Sequence, residues 1–185
     1  MGNQVEQGFL SPFLQRARIA AARPHLAGRV LDIGCGNGAL AAHVAPGLYL
    51  GIDRDRKALA AARASFPKHQ FVEALPSTGR FDTVVALALI EHLKAPRGAL
   101  EAWAALLSER GRILLTTPHQ SFRLAHEFGS RLGLFSQEAA DEHEEMFDRG
   151  SLAALAEGSG FRVEHYRRFL GGANQLFILA PQHSP

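Results

Sequence analysis

Apolar residues follow two alternating patterns along this chain. Unbroken apolar runs occur at "VLDI" from Val30, "LYLGID" (Leu48–Asp53), "FDTVVALAL" (Phe81–Leu89) and "GRILLTTP" from Gly111. Such runs predict strands buried on both faces, and "HQFVEA" predicts a shorter one. Helical segments fall between and around them. Residues 9–26 form one, carrying Arg16, Arg18 and Arg23, and the small residues after Gly38 predict another that stops near Pro46-Gly47. Asp55 is placed to cap a third that Pro67 terminates, and Leu100, Trp103 and Leu107 recur at helical spacing. Phe147 and Leu152 flank Asp148 at the spacing of a hydrophobic staple, which predicts a helix start there and an end at Gly158-Ser159-Gly160. "FRVEHYRRFL", the turn "GGAN" and "QLFILA" predict a closing hairpin over residues 161–180. The alternation predicts an α/β fold, a mostly parallel sheet with helices on both faces and one antiparallel strand from the hairpin. No repeat, linker or low-complexity stretch divides the chain, so residues 1–185 read as a single domain.

Composition narrows the class only a little. Hydrophobic residues make up 46% and charged residues 21%, and twenty Lys+Arg against eighteen Asp+Glu leave a formal charge of +2. That surplus is too small to argue for nucleic acid. The basic residues are scattered, with no arginine-rich stripe interleaved with aromatics. Cys35 is the only cysteine, so no internal disulfide forms, as suits a reducing cytoplasm. "MGNQVEQGF" lacks the basic and apolar regions of a secretory signal, and no run has the length of a membrane span. The expected location is cytoplasmic.

The most informative stretch is "VLDIGCGNGAL" (Val30–Leu40). Three alternate glycines after a strand permit a tight turn and the close approach of a ligand. Helix N-termini reached through such turns hold nucleotide-like groups. The dinucleotide fingerprint spaces its glycines G-x-G-x-x-G, whereas Gly34, Gly36 and Gly38 are one residue shorter. Asp53, ending the second strand, suits a pair of ribose hydroxyls. Asp32, just before the turn, would repel a pyrophosphate and attract a sulfonium or an amino group.

"LDIGCGNG", "GIDRD", "FDTVVALALIEHL", "GRILLTTP" and "GFRV" together resemble, in order and spacing, the class I S-adenosylmethionine (SAM)-dependent methyltransferases. The likeness runs from about Val30 to Ala180. It implies a Rossmann-like sheet of seven strands, the last antiparallel, with a SAM-binding half over residues 29–93 and an acceptor side and lid over 111–149. It also implies SAM as cofactor. Gly34, Gly36 and Gly38 then carry the turn against its methionine part, with Asp32 near the amino group. Asp53 takes the ribose hydroxyls, Ile52 and Arg54 flank the adenosine, and Leu87 lines the pocket. The acid that the family often places after the third strand is missing from "FVEALP", where Glu73 is at most a shifted equivalent.

Methyl transfer to an oxygen needs alignment and removal of a proton, hence a base or a metal. His92 in "IEHL" and His143 in "DEHEEMF" are the candidate bases, with His119 behind them. "IEHL", "TTPH" and the later histidine resemble most closely the ubiquinone-biosynthesis O-methyltransferases, and also the small-RNA 2′-O-methyltransferases. In the RNA branch, Glu-x-x-Glu-His and a later His bind a divalent metal. Here Ala88 replaces the first Glu, leaving Glu91, His92 and His143 as the only metal candidates, and no metal is expected. The reading is therefore a SAM-dependent methyltransferase acting on a small-molecule acceptor, most simply at oxygen. The alternatives are a non-catalytic SAM-binding or partner-binding protein of the same fold, and a metal-assisted RNA 2′-O-methyltransferase.

Overall fold

A computed structural model describes residues 11–120 and 146–182. Seven strands form one sheet: β1 (Val30–Ile33), β2 (Tyr49–Ile52), β3 (Gln70–Val72), β4 (Phe81–Leu87), β5 (Leu107–Pro118), β6 (Phe161–Phe169) and β7 (Asn174–Pro181). Their order is β3-β2-β1-β4-β5-β7-β6. β7 pairs antiparallel with both β5 and β6, and every other pairing is parallel. The Rossmann-like sheet with an antiparallel last strand is thus the observed architecture. The chain runs outward from β1 to β3, then returns to β1's other side at β4. A crevice opens between the carboxyl ends of β1 and β4, where ligands of such sheets bind.

Among the described residues the α-helices are α1 (Ser11–Ala22), α2 (Arg56–Ser65), α3 (Pro96–Ala104) and α4 (Arg149–Gly158). One sheet face packs Leu31, Val84, Ala86, Ile113 and Phe177 against Leu100 and Trp103 of α3 and Leu152 of α4. The other packs Val30, Val85, Leu114 and Ile178 against Ile19 of α1 and Leu59 of α2. β4 sends alternate side chains to both clusters, which is why its sequence is continuously apolar.

Two helix starts follow directly from local chemistry. The Asp55 side chain accepts a hydrogen bond from the Lys57 N–H. Asp148 and Ser151 form a reciprocal capping box, with Phe147 and Leu152 both buried in one cluster.

The expected elements shift in four places. After Gly38 there is only a 3₁₀ turn, Ala39–His43, because Ala45 is held extended before Pro46 and the segment is too short for a stable α-helix. Leu107 opens β5 instead of continuing α3. β4 stops at Leu87, since Ala88 adopts a left-handed φ of 53°. The N-terminal helix ends at Ala22 and continues as a 3₁₀ turn, Arg23–His25, where Pro24 interrupts the α-helical bonding. Its expected start at Phe9 lies outside the described residues.

Candidate active site

The glycine turn is bonded almost entirely to itself and to β2. The N–H groups of Gly34 and Cys35 both donate to the Ile52 carbonyl, at 2.8 and 2.9 Å, and that of Gly38 donates to Cys35. The Gly36 N–H donates to Asp53 Oδ2 at 2.7 Å, while Asp53 Oδ1 accepts from the Asp55 N–H at 2.9 Å. One carboxylate thereby ties the turn to the start of α2. The four N–H groups at positions 34, 35, 36 and 38, which a pyrophosphate would require, already have partners.

The glycines divide the work. At Gly36, φ is +53° and an added Cβ would meet nothing within 4 Å, so its open side faces the crevice. At Gly38, φ is +77° and a Cβ would lie 2.8 Å from the Phe71 ring and 3.1 Å from Ala62. Gly38 is therefore a packing residue that seats the turn against β3 and α2.

A cavity of about 650 Å³ occupies the crevice. Asp32, Gly34, Gly36 and Asp53 line it from the β1 and β2 side, and Leu87 and Ala88 line it from β4. Five of the expected cofactor residues thus meet in one space. Gly38 and Arg54 do not line it: Gly38 is buried by packing and Arg54 is exposed. Ile52 is buried in the core and contributes its carbonyl to the turn. Glu73 pairs with Arg56 at 3.0 Å on the surface.

α1 supplies a wall that sequence reasoning missed. Pro12, Gln15, Arg18 and Ile19 face the cavity. Gln15 Nε2 donates to Asn37 Oδ1 at 3.2 Å, and Arg18 Nε donates to Asn174 Oδ1, at the start of β7, at 3.1 Å. The arginines of this helix were visible in the sequence. Which of them turns toward the site depends on how the helix lies across the sheet.

The cavity wall carries three aspartates, Asp32, Asp53 and Asp55, against one arginine, Arg18. Asp32 is 3% exposed and accepts a hydrogen bond from the Tyr49 hydroxyl at 2.7 Å. Burial pushes its carboxyl up to about 7, against the lowering effect of Tyr49 and with the charge of Asp53 adding to the rise. Burial, together with Asp32 and Asp53, pushes the Cys35 thiol up to about 12, so it is not a reactive thiolate.

The acceptor side is built differently. Ala88, held by its N–H on the Thr116 carbonyl at 2.8 Å, turns the chain into the 3₁₀ turn Ile90–His92. Glu91 and His92 then point to opposite environments. Glu91 is 1% exposed, and among the described residues its carboxylate oxygens make no well-formed hydrogen bond, although the Thr117 hydroxyl lies close to them. Burial raises its pKa, against its own backbone N–H, the charges of His92 and Arg18 and the nearby Thr117 hydroxyl. The buried Thr116 and Thr117 hydroxyls at the end of β5 likewise make no well-formed hydrogen bond among the described residues.

His92 is exposed and does not line the cavity. His119 is half-buried, its pKa lowered by burial and by Arg168. His143 and most of the expected acceptor side and lid over 111–149 lie outside the described residues, among which no three His, Cys, Asp or Glu side chains gather for a metal. The Gln175 amide on β7 donates to the carbonyls of both Pro118, at 3.2 Å, and Phe147, at 2.7 Å.

The comparisons with known proteins agree with this geometry. The family model described as "Methyltransferase domain" matches residues 5–166. The chain belongs to that family, as the resemblance in its motifs implied. A ubiquinone biosynthesis O-methyltransferase from Xanthomonas euvesicatoria is 28% identical over 165 residues, covering 80% of this chain and 69% of that protein. Another of the same name, from Aromatoleum aromaticum, is 36% identical over 107 residues, covering 51% of this chain and 46% of that protein. The chain thus spans only about half the length of some relatives it matches. In fold it is similar to magnesium protoporphyrin IX methyltransferase from Synechocystis with bound SAH, with a TM-score of 0.68, 17% identity and coverage of 98% and 89%. No helix among the described residues is long and apolar enough to cross a membrane.

Proposed function

We propose that this chain transfers the methyl group of SAM to an oxygen of a small-molecule acceptor. The observation that carries the reading is the cavity joining Asp32, Gly34, Gly36, Asp53 and Leu87 at the switch point of the sheet. These residues fit SAM. Gly36 leaves the cradle that a Cβ would fill, Asp53 keeps lone pairs for the ribose hydroxyls, and Asp32 offers a buried carboxylate to the methionine ammonium. Arg18, facing the same space from α1, suits the methionine carboxylate. When bound, SAM supplies a methyl on an activated sulfonium.

The protein's own part is to bind, align and exclude water, and to take a proton from the acceptor hydroxyl. His92, following the β4 carboxyl end, is the candidate base for that proton, with His143 the second candidate on sequence grounds. The oxygen and the small acceptor rest on the relatives named O-methyltransferases. Calorimetry tests the cofactor reading. SAM and S-adenosylhomocysteine are expected to bind and NADH is not; NADH binding without a response to S-adenosylhomocysteine would overturn it. Turnover is tested with tritiated methyl-SAM and a panel of phenols and catechols. Label that goes to RNA and to no phenol sinks the acceptor assignment.

A further inference from the structure

Tyr49 has no place in the cavity wall, yet its hydroxyl reaches the acid that does. Tyr49 lies on β2 in register with Val30, two residues before Asp32 on the neighbouring strand. Its ring is wedged edge-on against His69, with centroids 5.5 Å apart, and against Phe71 at 5.7 Å. His69 is fixed in turn by a 2.9 Å contact between Nε2 and the Val44 carbonyl. The phenol is 3% exposed and cannot swing, so the direction of its O–H is set by the core.

We propose that Tyr49 is a positioning residue for the cofactor: its hydroxyl fixes one oxygen of Asp32, orienting the carboxylate as an acceptor for the ammonium of an amino-acid-bearing ligand. This rests on the cofactor reading above and adds a role outside the cavity wall. The chemistry is that of a neutral donor. A cation behind Asp32 would neutralise it and compete with the ligand, whereas a phenol holds it by one hydrogen bond and leaves its charge.

The groups facing Asp32 make that bond consequential. Asp53 from the end of β2 repels its charge, Cys35 on the turn is a neutral thiol, and Arg18 of α1 stands across the cavity. Burial keeps Tyr49 protonated well above neutrality, so it donates throughout the working range. With Asp32 titrating near neutrality, ligand affinity should rise with pH as the carboxylate ionises. Loss of the phenol should move that rise to higher pH.

The test compares S-adenosylhomocysteine with 5′-methylthioadenosine, which keeps the adenosine and thioether but has no ammonium. Binding of both is measured by calorimetry between pH 5.5 and 9 for the wild type, Tyr49→Phe, Asp32→Asn and the double variant. Tyr49→Phe is expected to weaken S-adenosylhomocysteine about tenfold at pH 7, the scale of one hydrogen bond to a charged group. It should raise the midpoint of the pH profile and leave 5′-methylthioadenosine within about twofold. In the Asp32→Asn background the same change should have no effect on either ligand. An equal loss for both ligands would mean that the phenol only supports the fold, and an unmoved pH midpoint would overturn the role outright. If wild-type protein binds neither ligand, the cofactor reading itself fails, and Tyr49's role with it.

Discussion

The two halves of the crevice satisfy their polar groups in opposite ways. On the β1–β2 side the turn's N–H groups at four positions are bonded within the protein, and Asp53 and Asp32 each already hold a donor. On the β4–β5 side Glu91, Thr116 and Thr117 are buried, and among the described residues their side-chain oxygens make no well-formed hydrogen bond. A turn that is complete before any ligand arrives can serve the same ligand repeatedly with little reorganisation. Buried acceptors and hydroxyls without partners carry an uncompensated desolvation cost, of the order of 1–3 kcal/mol per group. Among the described residues the first half is internally bonded, whereas the second keeps buried polar groups with far fewer internal bonds.

Variants should separate the halves. The largest effect is expected from His92→Ala: as the base, it should depress methyl transfer by ~10²–10⁴-fold. S-adenosylhomocysteine affinity should stay nearly intact, and single-turnover rates on a phenolic acceptor beside calorimetry give both quantities. Undiminished transfer would leave His143 as the remaining candidate base, and full activity in both alanine variants would leave alignment alone as the source of catalysis.

Next come the two glycines. Gly36→Val should cost on the order of a hundredfold in S-adenosylhomocysteine affinity, from a strained positive φ and a side chain in the cavity. Its melting temperature should fall less than that of Gly38→Val, whose side chain must displace Phe71 and Ala62 at an overpacking cost of about 1–3 kcal/mol or more. Equal melting losses for the two would erase the division between cradle and packing.

Asp53→Ala should weaken S-adenosylhomocysteine tenfold or more, since hydrogen bonds to a charged group are worth about 1.5–3 kcal/mol each. A retained affinity would confine Asp53 to holding the turn.

The smallest expected effect is on stability. Asp32 titrates at about 7 in the folded chain, raised from 3.8. Between these values the folded chain keeps a proton that the unfolded chain has lost, so stability declines as pH rises through this window. Asp32→Asn should remove that decline, giving a smaller drop in melting temperature than wild type between pH 5 and pH 8. A steeper drop in the variant would reverse the assignment.

Much of the prepared half was legible in the sequence because its determinants are local. Glycine spacing, an aspartate at a strand end, and Asp55 and Asp148 as caps all act within a few residues of themselves. What escaped is what depends on strand register or helix placement. The Tyr49–Asp32 bond exists because β2 sits beside β1 with Tyr49 opposite Val30. Arg18 faces the cavity because α1 crosses the sheet at one particular rotation. Ala88 is in the left-handed region, which alanine disfavours by roughly 1–2 kcal/mol, so no propensity marks it. The short turn after Gly38 is a case of local composition misleading: alanines favour a helix, but Pro46 ends the segment before one can form.

The single amide of Gln175 has a consequence for how this scaffold changes over time. The chain leaves the sheet at Pro118, Phe147 packs in the core just before α4, and both carbonyls accept from one buried side chain. The entry and exit of everything between them are therefore fixed at one point, independent of its length. Changes in the sequence between these two points then leave the pairing of β5 with β7 anchored as before.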